Sequence, residues 1–290
     1  MLLRHMRRVL LTVFLGGLLS ATLVRLAPGF HADEDLLDAR YSAETQSRKA
    51  AALAAEPNIA VFYARFLAGY FTGDWGESRE LHRPVRQLIG ERAGVTAAAV
   101  AAGLALGWLL GLAGALAGVR FAAVRAGVAG GAALVQCAPA ALLALALVAW
   151  GARGPQAAAA ALGLVLYSRV APFASAALET AARMPHVRAA RARGVGEGRI
   201  LFRHLLPVAR PQLAGLAAMS VSLAVSAAVP VETLLDSPGL GQLMWQAALG
   251  RDLPLLVNLT VAVSLVVSAA AAVSEASSRG AWRAPGEATS

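Results

Sequence analysis

Long apolar runs, separated by short arginine-bearing breaks, set the pattern of the chain. Val95 to Val119 carries no charged residue, nor do Ala126 to Ala152, Pro211 to Val231 and Leu253 to Ser274. Each is long enough to cross a hydrocarbon core, which takes about 20 helical residues. Gly154 to Leu178 is a fifth run, interrupted only by Arg169. Val9 to Val24 is shorter, but Arg25 can snorkel to the interface and extend it. A single run of this kind suits a buried helix of a soluble core. Six in one chain predict an all-α integral membrane protein with six transmembrane helices.

The first run follows Arg4, Arg7 and Arg8, as in a signal peptide, yet no small-x-small cleavage site follows it. Residues 1–27 are therefore expected to be a retained anchor helix. Residues 28–94 form a region between the first and second spans. Within it Asp33 to Glu56 mixes acids, bases and alanine and predicts a helix. Ile59 to Phe71 has apolar residues at helical spacing and suits a helix lying at the interface. Pro84 to Arg92 predicts a short amphipathic helix with proline in its first turn. Residues 95–275 form a five-helix core, and 276–290 a polar tail.

Arginine placement orients these elements, because cytoplasmic loops hold positive charge. With the N-terminus inside, inside segments carry Arg4, Arg7, Arg8, Arg120, Arg125, Arg183, Arg188, Arg191, Arg193, Arg199, Arg203, Arg210, Arg279 and Arg283. The short outside loops carry only Arg153 and Arg251. Both termini are then cytoplasmic and residues 28–94 extracytoplasmic. The net charge of +9 becomes a signature of topology, with no call for a nucleic-acid partner. Only 15% of residues are charged, against roughly 25% in soluble domains, which again favours the bilayer as solvent.

Catalytic chemistry finds little support. A phosphate-binding loop needs Gly-x-x-x-x-Gly-Lys-Ser/Thr, and the only lysine, Lys49, has no glycine near it. His5, His31, His82, His186 and His204 lie far apart in sequence, and Cys137 is the single cysteine. Neither a metal cluster nor a disulfide is expected. An intramembrane serine protease would need a histidine within the spans to partner Ser220, Ser222 or Ser226, and none is there.

One segment stands out between the fourth and fifth runs. Residues 183–210 are rich in arginine, with Gly194 and Leu206-Pro207 placed among the charges. Glu179 to Ala192 predicts a helix continuing out of the fourth span. Gly194 permits a left-handed turn, and Glu197 to Leu206 predicts a second helix stopped at Pro207. The charge alone suits anionic headgroups or a docking element for a soluble motor.

The spacing within this segment resembles the coupling motif of permeases of binding-protein-dependent ABC importers. That motif runs Glu-Ala-Ala, three residues, Gly, nine residues, Ile-x-Leu-Pro. Arg188-Ala189-Ala190, Gly194 and His204-Leu205-Leu206-Pro207 fill the frame without a gap, with Arg188 and His204 at the Glu and Ile positions. His186-Val187-Arg188-Ala189-Ala190-Arg191-Ala192-Arg193-Gly194 is similar to Tyr-Val-Arg-Thr-Ala-Arg-Ala-Lys-Gly of the dipeptide/oligopeptide/nickel branch. His186 for tyrosine, and Pro185 for the usual aspartate, are departures. Gly73-Asp74-Trp75-Gly76-Glu77-Ser78 with Arg83-Pro84-Val85 and Ile89 resembles the same branch ahead of its second span. Glu232-Thr233, Ser237-Pro238-Gly239-Leu240-Gly241 and Arg251-Asp252-x-Pro254 resemble its loop before the last span. Arg7-Arg8 and Arg25-Leu26-Ala27-Pro28-Gly29 match its first span and exit.

The resemblance is to the B-type permease and implies a transport subunit, without its own ATPase, in a bacterial inner membrane. It implies a heterodimer with a second homologous permease, two ABC ATPase subunits that bind ATP and Mg, and an extracytoplasmic binding protein that delivers the solute. No cofactor is expected in this subunit. Arg188, Ala189, Ala190, Arg191, Arg193, Gly194, His204, Leu206 and Pro207 would form the ATPase-coupling loop, with Arg191, Arg193 and Arg203 touching the ATPase. Arg169, Gln136, Pro139 and Ser168 are candidates for the translocation path. Gly73, Asp74, Gly76, Pro238, Gly239, Gly241, Arg251 and Asp252 would build an extracytoplasmic cap. Peptides, nickel chelates and glutathione-like solutes share this scaffold. A stand-alone channel or secondary transporter, or an intramembrane enzyme, are the alternative classes. Neither explains the spacing of Gly194 and Leu206-Pro207.

Overall fold

A computed structural model describes residues 73–281, with side chains through Glu275, and isolated positions among the first 72. The helix predicted at Asp33–Glu56, that at Ile59–Phe71 apart from helical Gly69, and the end of the tail lie outside the described residues. So does most of the first span, although its described positions Leu11, Phe14, Leu15, Leu18, Leu19 and Thr22 are helical. The chain divides into two compact units, Met1–Arg92 with Leu243–Leu265, and Ala93–Gln242 with Val266–Ser290.

The elements among the described residues are helices, with one isolated β-bridge between Glu77 and Pro84. The elements are α1 (Val85–Arg120), α2 (Ala122–Cys137), α3 (Ala140–Ala149), α4 (Gly154–Ala182), α5 (Pro185–Ala192) and α6 (Glu197–Ile200). A π-helical turn (Leu201–Leu205) leads into α7 (Leu206–Leu234), followed by α8 (Leu240–Leu249) and α9 (Leu253–Ala281). Val85–Arg120, Gly154–Ala182, Glu197–Leu234 and Leu253–Glu275 are each long and apolar enough to cross a membrane. The amphipathic helix predicted for Pro84 to Arg92 is not separate. It forms the first turns of α1, because no proline interrupts the helix after Pro84.

The third predicted span, Ala126 to Ala152, is not one helix. It breaks between α2 and α3 with a bend of 95°. Proline disfavours helical backbone in the residue before it and cannot donate an N–H itself. Accordingly Ala138 (φ −96°, ψ 126°) and Pro139 (φ −55°, ψ 150°) leave the helix.

Close packing in the second unit fixes how these helices run. Gly103, Gly107 and Gly111, four residues apart, place one bare stripe of α1 on α4. A Cβ on them would lie 2.7, 2.6 and 2.8 Å from side-chain carbons of Leu162, Leu166 and Val170 in turn. The bilayer supplies no hydrophobic drive between helices, so such small-residue seams let backbones gain dispersion contact. The matching order makes α1 and α4 parallel. The chain must therefore return along the unit between them, and the bent pair α2 and α3 makes that return. Gly154 N–H donates to Leu235 O at 2.6 Å, joining the start of α4 to the end of the antiparallel α7. Along α7, Ser274 Oγ donates to Gly215 O (2.9 Å) and Ser222 Oγ to Val267 O (3.3 Å).

Two apolar clusters mark the ends of this unit. One gathers Ala99, Val100, Ala157, Ala158, Leu162, Ala228, Val231 and Leu235. The other gathers Ala115, Leu178, Ala181, Val187, Ala190, Ile200, Leu205 and Ala209. The arginine-rich segment is built on the second.

Candidate functional site

The segment 183–210 does not continue α4 as predicted. Met184 is extended (φ −66°, ψ 143°) because Pro185 follows it, so α4 stops at Ala182 and α5 starts anew with proline in its first turn. Val187 and Ala190 are buried among Leu178, Ala181, Ile200 and Leu205, while Arg188, Ala189, Arg191, Arg193 and Gly194 are exposed. Burying every third residue leaves the arginines of this short helix pointing to solvent.

Gly194 closes α5 with φ +75°. Gly194 N–H donates to Arg191 O (2.9 Å) and Val195 N–H to Ala190 O (3.2 Å). This pair of bonds is a Schellman ending, which satisfies carbonyls that the helix leaves open. A Cβ at this glycine would meet nothing within 4 Å, so backbone conformation alone selects the residue.

The arginines divide into two groups. Arg191 forms a two-pronged pair with Glu197, Nε to Oε1 at 2.9 Å and Nη2 to Oε2 at 3.2 Å. Arg193 Nε donates to Ala189 O at 3.3 Å. These two hold the turn itself. Arg188, Arg199 and Arg203 are exposed and make no ion pair among the described residues. Beside them Phe202 is 69% exposed, an aromatic at the polar end of the unit that the sequence reading passed over. The second helix is not stopped at Pro207. A π turn precedes it, in which Leu206 N–H reaches back to Leu201 O, and Pro207 sits in the first turn of α7, where its missing N–H does no harm. Leu206 is half-buried against the second cluster. His186 and half-buried His204, remote in sequence, lie with ring centroids 6.2 Å apart.

The four path candidates do not share one environment. Ser168 is buried and its hydroxyl donates to Val165 O at 2.7 Å, so it presents nothing to a path. Arg169, Gln136 and Pro139 are exposed, the last two at the α2–α3 break.

The residues assigned to a single cap fall into two sets, one in each unit, and each set closes on a buried carboxylate. In the first unit Asp252 is fully buried and caps α9 by accepting Leu255 N–H at 3.2 Å. It also accepts Ser78 Oγ–H at 2.5 Å and Glu80 N–H at 3.4 Å. Buried Asn258 donates through Nδ2 to Trp75 O at 3.0 Å. Gly73 (φ +77°) and Gly76 (φ +76°) turn the chain there, and Asp74 Oδ1 accepts Gly76 N–H at 3.0 Å. Arg251, at φ +52°, directly precedes Asp252. In the second unit fully buried Glu232 accepts Gly241 N–H at 2.7 Å, holding the N-terminus of α8. Thr96 Oγ1 accepts Leu240 N–H at 2.7 Å. Gly241 is needed because a Cβ would lie 2.7 Å from Val229 Cα. Pro238 is exposed and Gly239 buried, a Cβ on it falling against the Glu232 carboxylate. Glu232, Thr233 and Ser78 stand inside the resembling motifs with no role assigned to them, and nothing in the sequence around Asn258 marks it. An acid ending an apolar run was the available signal for Glu232.

Three similar proteins come from bacteria. The chain is 33% identical over 104 residues to the oligopeptide transport system permease protein OppB of Salmonella typhimurium, covering 36% of this chain and 34% of that one. It is 33% identical over 82 residues to the oligopeptide transport system permease protein AppB of Bacillus subtilis, covering 28% and 26%. It is 33% identical over 93 residues to a putative peptide permease protein of Brucella ovis, covering 32% and 29%. The chain thus matches about a third of the length of these relatives or less. A broader match takes in residues 94–279, and by it the chain belongs to the family of binding-protein-dependent transport system inner membrane components.

Proposed function

We propose that this chain is the permease subunit of an ATP-driven importer, forming half of the path for a small peptide-like or nickel-type solute. An extracytoplasmic binding protein delivers the solute. A second, related permease completes the path, and two ATPase subunits, which hold ATP and Mg, supply the work. In this reading the chain has six spans in a bacterial inner membrane, with both termini cytoplasmic.

The observation that carries the reading is the element α5–Gly194–α6. It is a short amphipathic helix closed by a left-handed turn. Its apolar side is locked into the ends of α4 and α7, and Arg188, Arg199, Arg203 and Phe202 are presented outward. A lever needs this combination of rigid attachment and an exposed gripping face. Displacement of α5 by a closing ATPase is transmitted through Val187 and Ala190 to Leu178, Ile200 and Leu205, and so to two spans at once. A headgroup-binding loop has no need of a buried seam into both spans. Replacing Arg188, Arg199 and Arg203 together with alanine should leave membrane insertion intact and release the ATPase from the purified complex. Retention of a fully active ATPase by that variant would remove the coupling role.

A further inference from the structure

The break between α2 and α3 is at odds with the rest of the second unit. Tyr167, near the middle of α4, donates its hydroxyl to Val128 O at 3.3 Å, and a Cβ on Gly131 would lie 3.5 Å from that hydroxyl. Arg125 pairs with Glu179 at one end of the crossing (3.7 Å), and Ala140 packs on the cluster at the other. Residues 136–139 therefore lie between the Arg125–Glu179 pair and the first cluster, at membrane depth in the six-span reading proposed above. Ala138 N–H turns back to Val135 O, and Leu142 N–H and Leu143 N–H both go to Pro139 O. Among the described residues no backbone donor reaches the carbonyls of Gln136, Cys137 or Ala138, and no acceptor meets the N–H of Ala140 or Ala141. Gln136, Cys137 and Pro139 are exposed. Lipid offers these groups no partner, and irregular backbone persists at membrane depth only where protein or water covers it.

We propose that the break Gln136–Pro139 faces a water-filled solute path, its open carbonyls and N–H groups and the Gln136 amide hydrated when the path is empty. The assignment rests on the permease reading above. Water rather than a dry partner surface is favoured by the mixture of unpaired donors and acceptors beside a free amide side chain. A transported solute bearing amides meets groups of both kinds there.

Cys137 is the only cysteine of the chain and lies within the break, so it reports on the segment without an engineered thiol. The complete complex, purified and returned to lipid, is treated with a cationic methanethiosulfonate in the nucleotide-free state and after trapping with ATP and vanadate. Modification of the Cys137 peptide is followed by mass spectrometry, with Cys137→Ser as the blank. Expected is modification by the charged reagent at a rate that differs about tenfold or more between the two states, because alternating access opens a path to one side at a time. Gln136→Cys in the Cys137→Ser background should behave alike. A Cys137 that reacts only with a membrane-soluble maleimide, reacts with neither reagent, or reacts equally in both states overturns the path assignment. If the complex still hydrolyses MgATP, the permease reading survives that result. A purified complex without MgATP hydrolysis overturns the permease reading and the path assignment together.

Discussion

Substituting Gly194 isolates the turn that ends α5. The backbone there has φ +75°, and a Cβ would meet no atom within 4 Å. Alanine therefore adds no clash, and its whole penalty is the left-handed conformation, about 1–2 kcal/mol. Escape from that strain would break the bonds from Gly194 N–H to Arg191 O and from Val195 N–H to Ala190 O, at about 1 kcal/mol each. The two penalties are of similar size, so Gly194→Ala should populate the native turn only in part. A shift of this order changes the ratio of turn states by roughly 5- to 30-fold. Valine is worse, since a branched Cβ makes positive φ an outlier, while asparagine tolerates it. The complete complex in proteoliposomes should therefore lose solute uptake per ATP hydrolysed in the order Asn, Ala, Val, mildest first, at matched expression. Parent-level coupling in Gly194→Val would refute the reasoning. Equal losses in all three variants would show that the site senses a side chain rather than a backbone angle.

Gly107→Ala puts a Cβ 2.6 Å from Leu166 Cβ and 2.9 Å from Gly163 O, so α1 and α4 must separate. Thermal unfolding in detergent should show a loss of about 1–3 kcal/mol, whereas Gly127→Ala, with open space around it, should be near neutral. Asp252→Ala leaves Ser78 Oγ and Leu255 N–H without their acceptor. It should weaken stimulation of ATP hydrolysis by the binding protein more than complex assembly, and parent-level stimulation would reduce the loop to a linker. Cysteines replacing Arg153 and Arg191, each in the Cys137→Ser background, should react with an impermeant thiol reagent from opposite sides of the membrane. Labelling of both from one side would overturn the proposed topology.

The spans were legible because the bilayer demands long uncharged runs, and four of them appear as continuous helices. The run Ala126 to Ala152 is not one helix although Ala138-Pro139 carries the signal, since apolarity masks a break when no charge marks it. Met184-Pro185 carried the same signal at the end of α4. The turn at Gly194 was visible because a glycine following an amphipathic stretch has few other uses. Pro207 was misleading: proline stops a helix in its interior but opens one at its first turn. Gly103, Gly107 and Gly111 were regular enough to betray a packing seam, but not which helix fills it. The distant partners Ser78 and Glu80 of Asp252, Trp75 of Asn258 and Gly241 of Glu232, and the meeting of His186 with His204, depend on tertiary closure. No local pattern encodes them.

The most direct test of the central claim is to purify the tagged chain from native membranes in mild detergent and measure MgATP hydrolysis together with subunit content. A second permease and an ATPase with a phosphate-binding loop are expected in the complex. ATPase activity should separate from the chain when Arg188, Arg199 and Arg203 are all alanine. A chain that purifies without any ATP-hydrolysing subunit, or keeps its ATPase unchanged in that triple variant, would contradict the claim.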